Sequence, residues 1–175
     1  MNPESGIKKA FSKLISLQKM VTVVLVLALT VMVVVQVVLR YVFKAPLMGI
    51  EEMMLFPIIW LYMIGGANAS QQRNHIECGV MTVYIKRPIV LKLFNVVKSL
   101  ISIVVCIWLT YWAYWFFDYS LTRWKVSDLL YIPMFFGESA MFIGLILMLV
   151  YAVIEFMDYV KDFSNSIFAV DKEEI

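Results

Sequence analysis

Charged side chains are scarce in this 175-residue chain, and the residues that most often build catalytic or metal sites are almost missing. Only 16% of the residues are charged, and there are one histidine, His75, and two cysteines, Cys78 and Cys106. A zinc site needs three or four ligands, which His75 with its neighbours Glu77 and Cys78 does not supply. A single histidine also excludes a haem held between two histidines. We therefore predict free thiols and no metal, cofactor or catalytic site.

Two motifs that mark common enzyme classes are absent as well. The chain has neither the G-x-x-x-x-G-K-[ST] loop that cradles phosphates nor the G-x-S-x-G turn that carries a nucleophilic serine. We expect a protein that is not an enzyme and that has no nucleic-acid partner.

Long apolar stretches are what the chain has instead. Four of them, 20–39, 53–72, 99–117 and 139–154, contain no Asp, Glu, Lys or Arg. About 20 apolar residues in a helix cross the ~30 Å hydrocarbon core of a bilayer, and unbroken runs of this length are helices rather than barrel strands. The predicted fold is all-α, a polytopic membrane protein with spans at about 20–39, 53–72, 93–117 and 137–156. These form one domain, 1–162, which is followed by a polar cytoplasmic tail, 163–175.

The positive residues alternate between the segments that separate these spans. Four lysines precede the first span, and the following connections carry two, five and two Lys or Arg, with two more in the tail. Because positive residues accumulate on the cytoplasmic side, this pattern predicts that both termini are cytoplasmic.

The segment before the first span is amphipathic. Ile7, Phe11, Leu14 and Ile15 recur on one helical face, and lysines occupy the other. One interpretation is an interfacial helix that lies on the membrane and contacts phospholipid. The other is that the segment continues into the first span as one helix.

Two further features admit two interpretations each. Trp108, Trp112 and Trp115 share one face of the third span with Tyr119, as either an aromatic belt at the lipid headgroups or a contact surface for a partner. Glu138 is the best candidate for the ionisable group that a transporter or a membrane enzyme acting alone would need. Its place at a helix start favours a carboxylate at the membrane interface, which would leave the spans without an ionisable site of their own. We therefore expect a chain that does not transport or catalyse alone and that contacts another protein.

A pattern across the first two spans resembles a known family. It consists of Arg40-Tyr41-Val42-Phe43, Pro46, Glu51-Glu52, Trp60, Gly65-Gly66-Ala67 and His75-Ile76. This order is similar to the DctQ-type small membrane subunit of tripartite ATP-independent periplasmic (TRAP) transporters. A tryptophan that often precedes the acidic pair in such subunits is absent from residues 47–50.

The resemblance implies a division of labour in a bacterial inner membrane. A large membrane subunit would carry the substrate and Na⁺ sites, and a soluble periplasmic protein would deliver a carboxylate substrate, with sialic acid as the expected one. The small subunit would enlarge the fixed scaffold and help to dock the delivery protein. The alternatives are an independent small enzyme or exporter that uses Glu138, and a tether that binds anionic lipid through its N-terminal lysines.

The resemblance also implies roles for individual residues. Arg40, Glu51 and Glu52 would shape the outer surface near the delivery protein. Trp60, Gly65 and Gly66 would pack against helices, while Arg73 and His75 would anchor the inner end through lipid headgroups. For each residue, the alternative is a structural role within the chain or at the membrane interface.

Overall fold

The computed structural model describes residues 3–45, 47–72 and 88–173, and almost all of them are helical. The four helices are α1 (Pro3–Tyr41), α2 (Met48–Gln71), α3 (Pro88–Arg123) and α4 (Phe135–Glu173). Each is long and apolar enough to cross a membrane. The prediction of an all-α protein with four membrane spans is therefore confirmed.

The two terminal helices run beyond the lengths that a bilayer requires. The amphipathic segment is the first part of α1, which is one continuous helix of 39 residues, or about 58 Å. The structure therefore agrees with the second interpretation given above, in which this segment continues into the first span as one helix. At the other end, α4 extends to Glu173 and includes residues 163–173 of the predicted polar tail. The chain contains no glycine or proline after Asp162, so no helix-breaking residue interrupts α4 there.

The helices form a row rather than a closed ring. The extensive contacts are those of α1 with α2, α2 with α4, and α4 with α3, which gives the spatial order α1, α2, α4, α3. The end of the row with residues 42–47 and 124–134 is called the loop end here. The opposite end, where α1 begins and α4 finishes, is called the terminal end. The helices α2 and α4 run parallel, and both start at the loop end.

Small residues allow α2 and α4 to approach closely. Ala67 of α2 and Ala140 of α4 are both 0% exposed. On α4, Gly137 faces the side chains of Phe56 and Ile59, and Gly144 faces Met63. Since lipid tails are as apolar as leucine, close van der Waals packing of this kind holds membrane helices together.

Aromatic rings form most of the seam between α3 and α4. Phe117 stacks on Phe142 with ring centroids 4.9 Å apart and also contacts Phe135 at 5.6 Å. Tyr114 adds a tilted contact with Phe142 at 6.1 Å. Ring contacts bring large buried areas and a preferred geometry, which fixes α3 on the edge of the row.

Candidate partner-contact surfaces

A carboxylate of α2 holds the loop that joins α3 to α4. Glu52 accepts hydrogen bonds from the backbone N–H of Leu129 at 3.2 Å and of Leu130 at 2.9 Å. The loop 124–134 is closed on itself by an isolated β-bridge between Val126 and Pro133. The backbone N–H groups of Leu129 and Leu130 are donors without a helical partner, and a carboxylate is a strong acceptor for them. Glu52, predicted to face the delivery protein, thus ties down a loop of its own chain.

The same loop presents aromatic residues from a strained backbone. Trp124 and Tyr131 have φ values of 42° and 54°, in the left-handed region that non-glycine residues rarely adopt. Tyr131 is 73% exposed. Lys125 lies over the Tyr119 ring at 5.0 Å, and its hydrogen bond to the Tyr119 hydroxyl raises the pKa of the Lys125 ammonium group. The loop is therefore an exposed aromatic and basic surface at the loop end.

The other predicted residues at the loop end lie beside this surface. Glu51 accepts a hydrogen bond from the side-chain amide of Gln36 at 2.6 Å, which joins α2 to α1. Arg40 is exposed in the last turn of α1. Of the three residues predicted to face a delivery protein, Arg40 is exposed, and both carboxylates have hydrogen-bond partners within the chain.

Glu138 lies in the first turn of α4, as its position in the sequence indicated. Its carboxylate accepts a hydrogen bond from the Ser120 hydroxyl of α3. A carboxylate in the first turn faces the positive end of the helix dipole. The Glu138 carboxylate therefore links the start of α4 to α3.

The glycine and tryptophan part of the sequence pattern divides between two faces of α2. The Trp60 indole N–H donates to the backbone carbonyl of Phe136 at 2.8 Å, so this side chain joins α2 to α4. Gly66 faces Met148 of α4, whereas a Cβ atom built on Gly65 would have no atom within 4 Å. Trp60 and Gly66 therefore pack within the chain, and Gly65 opens onto a free face.

A polar cluster near the terminal end was not predicted. The Tyr151 hydroxyl donates to Gln18 Oε1 at 2.7 Å, and Asn68 Nδ2 donates to Thr22 Oγ1 at 2.9 Å. These bonds link α1 to α4 and to α2 beside a cavity of about 180 Å³ that Gln71 and other residues line. The sequence contained an indication of this cluster, because Gln18 and Thr22 are polar residues one turn apart at the start of the apolar part of α1.

The tryptophan face of α3 is exposed along its whole length. Trp108 is 66% exposed, and Trp112 and Trp115 are also largely exposed. Trp108 lies ten residues from both Lys98 and Asp118, which is about 15 Å along a helix and therefore near the middle of the span. A headgroup belt accounts for Trp115 more readily than for Trp108, so lipid and partner contact both stay open as predictions.

Two of the predicted contact residues, Arg73 and His75, lie outside the described residues. Within the part of the chain that the structure describes, no three His, Cys, Asp or Glu side chains converge in a way that would hold a metal ion.

Comparison with protein families gives a match over most of the chain. The model of the family described as "Tripartite ATP-independent periplasmic transporters, DctQ component" matches residues 29–162. No match is found among curated proteins. The matched region covers more than half of the chain and includes most of α1 to α4. Members of this family are components of transporters and are not enzymes, as the sequence predicted. The chain belongs to the DctQ family, the small component of tripartite ATP-independent periplasmic transporters.

Proposed function

We propose that this chain is the scaffold subunit of a Na⁺-coupled secondary transporter that imports a carboxylate substrate delivered by a soluble periplasmic protein. The observation that carries the proposal is the match to the DctQ component over residues 29–162. The span interiors support it, because none of the four stretches 20–39, 53–72, 99–117 and 139–154 contains a charged residue. A coupling site within a membrane span normally has an ionisable side chain, so the substrate and ion sites belong to the large membrane subunit.

The loop end is the side that faces the periplasm in this proposal. Its support is the distribution of Lys and Arg, which favours cytoplasmic termini. The delivery protein would dock against the loop 124–134 and the neighbouring Arg40, while Glu52 keeps the loop in place. The role of Glu52 is then to shape the docking surface rather than to contact the delivery protein.

Sialic acid is the substrate that we propose, on the strength of the sequence pattern at residues 40–76. Its carboxylate would be recognised on the other two components, since the stretches 20–39, 53–72, 99–117 and 139–154 of this chain contain no basic residue. Phospholipid headgroups would contact Arg73 and His75, in the segment that the distribution of Lys and Arg places on the cytoplasmic side.

The test is reconstitution in proteoliposomes. We expect sialic acid uptake under an inward Na⁺ gradient when this chain, the large subunit and the delivery protein are all present. Uptake should be lost when this chain is omitted, and this chain alone should give none. Uptake by the large subunit without this chain would contradict the scaffold role, and transport by this chain alone would favour the exporter alternative.

Glu138→Gln provides a second test in the same assay. Because Glu138 pairs with Ser120 inside the chain, we expect an unchanged Na⁺ dependence of uptake. A shifted Na⁺ dependence would place a coupling group on this chain and contradict the proposed division of labour.

A further inference from the structure

An apolar groove lies between α1 and α2 on a free face of the row. It has a volume of about 480 Å³, and its lining residues are Leu29, Ile58, Leu61, Tyr62, Gly65 and Gly66. Ile58, Tyr62 and Gly65 follow one another on one side of α2 at spacings of four and three residues. Because no atom lies within 4 Å of a Cβ built on Gly65, the groove has free space directly above the α2 backbone.

Tyr62 places a hydroxyl group near the middle of the membrane. It lies ten residues from both Glu52 and Gln72, which corresponds to about 15 Å of helix in each direction. The side chain is 74% exposed, and its hydroxyl has no hydrogen-bond partner among the described residues. A hydroxyl group in hydrocarbon without a partner is unfavourable, and at this depth a tyrosine side chain cannot reach the headgroups. Acyl chains have no acceptor, so lipid is a poor occupant for this position.

The composition of α2 also argues against lipid as its neighbour. It is the least apolar of the four spans, and between Leu55 and Gln72 its only exposed residue is Tyr62. By contrast, α1 is the most apolar span, and none of its most apolar stretch is buried, which suits direct contact with lipid. The exposed part of this stretch of α2 is thus centred on a tyrosine hydroxyl group, which favours protein over lipid as the neighbour of the groove.

We propose that a transmembrane helix of the large membrane subunit packs into this groove. The occupying helix would lie close to α2 above Gly65, where the missing side chain permits a short distance between helix axes. It would place large apolar side chains between Leu29 and Ile58 and bring a hydrogen-bond acceptor to the Tyr62 hydroxyl. The acceptor would be a hydroxyl or amide oxygen of a side chain, or a backbone carbonyl freed by a break in the helix. This inference rests on the proposed function, because it takes the large subunit as the partner.

Copurification with the large subunit tests the inference. Both chains are co-expressed with an affinity tag on this one, and the amount of large subunit retained in mild detergent is measured. We expect Gly65→Leu to reduce retention at least tenfold, because the added side chain fills the groove. The matched control is Ala28→Leu, which adds similar bulk to an exposed face of α1 at a similar depth and should retain the wild-type amount.

A second pair of variants tests the hydroxyl group alone. Tyr62→Phe should weaken retention by about threefold, since hydrogen bonds between membrane helices average about 0.6 kcal/mol. Tyr41→Phe, which removes a similarly exposed hydroxyl group at the end of α1, should have no effect. This pair leaves the helix surface nearly unchanged, so it keeps the inference testable if Gly65→Leu fails to fold.

The outcomes separate the inference from the function on which it rests. If the wild-type chain retains the large subunit and both Gly65→Leu and Tyr62→Phe retain it equally well, the groove is not the interface, but the scaffold role stands. If the wild-type chain retains no large subunit, the proposed function fails and this inference fails with it. If these variants instead dissociate a homo-oligomer of this chain, a second copy occupies the groove and the inference is overturned.

Discussion

Replacing Gly144 by alanine tests whether α2 and α4 are held together by close backbone approach. A Cβ atom at position 144 would lie 2.6 Å from Met63 Cβ and 3.3 Å from Met63 Cα. Neither Met63 atom can move by a rotamer change, so the helices themselves must separate. The matched variant is Gly65→Ala, where the new methyl group would have no atom within 4 Å.

The magnitude follows from the difference between these two substitutions. Both replace glycine by alanine inside a helix, and each gains up to about 1 kcal/mol from helix propensity. That gain cancels in the comparison, which leaves the cost of overpacking at position 144. Carbon atoms pack at about 3.5–4.0 Å, so a separation of 2.6 Å requires a shift of roughly 1 Å. Overpacking of this kind costs about 1–3 kcal/mol, which corresponds to roughly a 5- to 150-fold difference in the ratio of folded to unfolded protein.

The assay is the unfolding of both variants of the chain under identical conditions in detergent or bicelles. We expect Gly65→Ala to match or exceed the wild-type stability and Gly144→Ala to fall below Gly65→Ala by the margin above. Equal stabilisation by the two substitutions would refute the close approach at Gly144, since it would show that the methyl group is accommodated without strain.

Three further predictions concern the hydrogen bonds that join the helices. Glu52→Gln should speed hydrogen exchange at the two backbone amides of the loop 124–134 that this carboxylate binds, and Glu51→Gln should leave their exchange unchanged. Trp60→Phe should lower the free energy of unfolding by about 0.5–1.5 kcal/mol through loss of its bond to a carbonyl of α4, and wild-type stability would show that this bond contributes nothing. Tyr151→Phe should cost about 0.6 kcal/mol and at most about 1.7 in thermal unfolding, and a larger loss would imply that its polar cluster acts as a unit.

The number and type of the helices follow from the sequence because they depend on one strong signal. Uncharged stretches long enough to cross a bilayer leave the backbone no alternative to helix. The sequence determines the ends of the helices less clearly. The helical conformation of residues 163–173 is not apparent from their polarity, since polarity does not end a helix when no glycine or proline interrupts it.

The contacts between helices could be predicted only where residue size determines them. Glycine and alanine in spans indicate close packing, but the sequence does not say which side of the helix is covered. Gly65 and Gly66 are adjacent, and yet one opens onto a groove while the other faces Met148. The role of Glu52 was inaccessible for a similar reason, because its partners lie 77 and 78 residues away and are backbone groups. A carboxylate at a helix start can bind many different groups, and only the three-dimensional fold determines which groups it binds.

The hydrogen bonds at the loop end explain how the chain can serve as a fixed body. Three glutamates lie there, and each bonds within the chain: Glu51 joins α2 to α1, Glu52 joins α2 to the loop 124–134, and Glu138 joins α4 to α3. With the Trp60 bond between α2 and α4, every neighbouring pair in the row is tied at or near this end. A subunit whose helices slide during transport would have to break these bonds in each cycle. In the proposed scaffold role the subunit stays still and keeps them, and it would offer the delivery protein the same surface throughout.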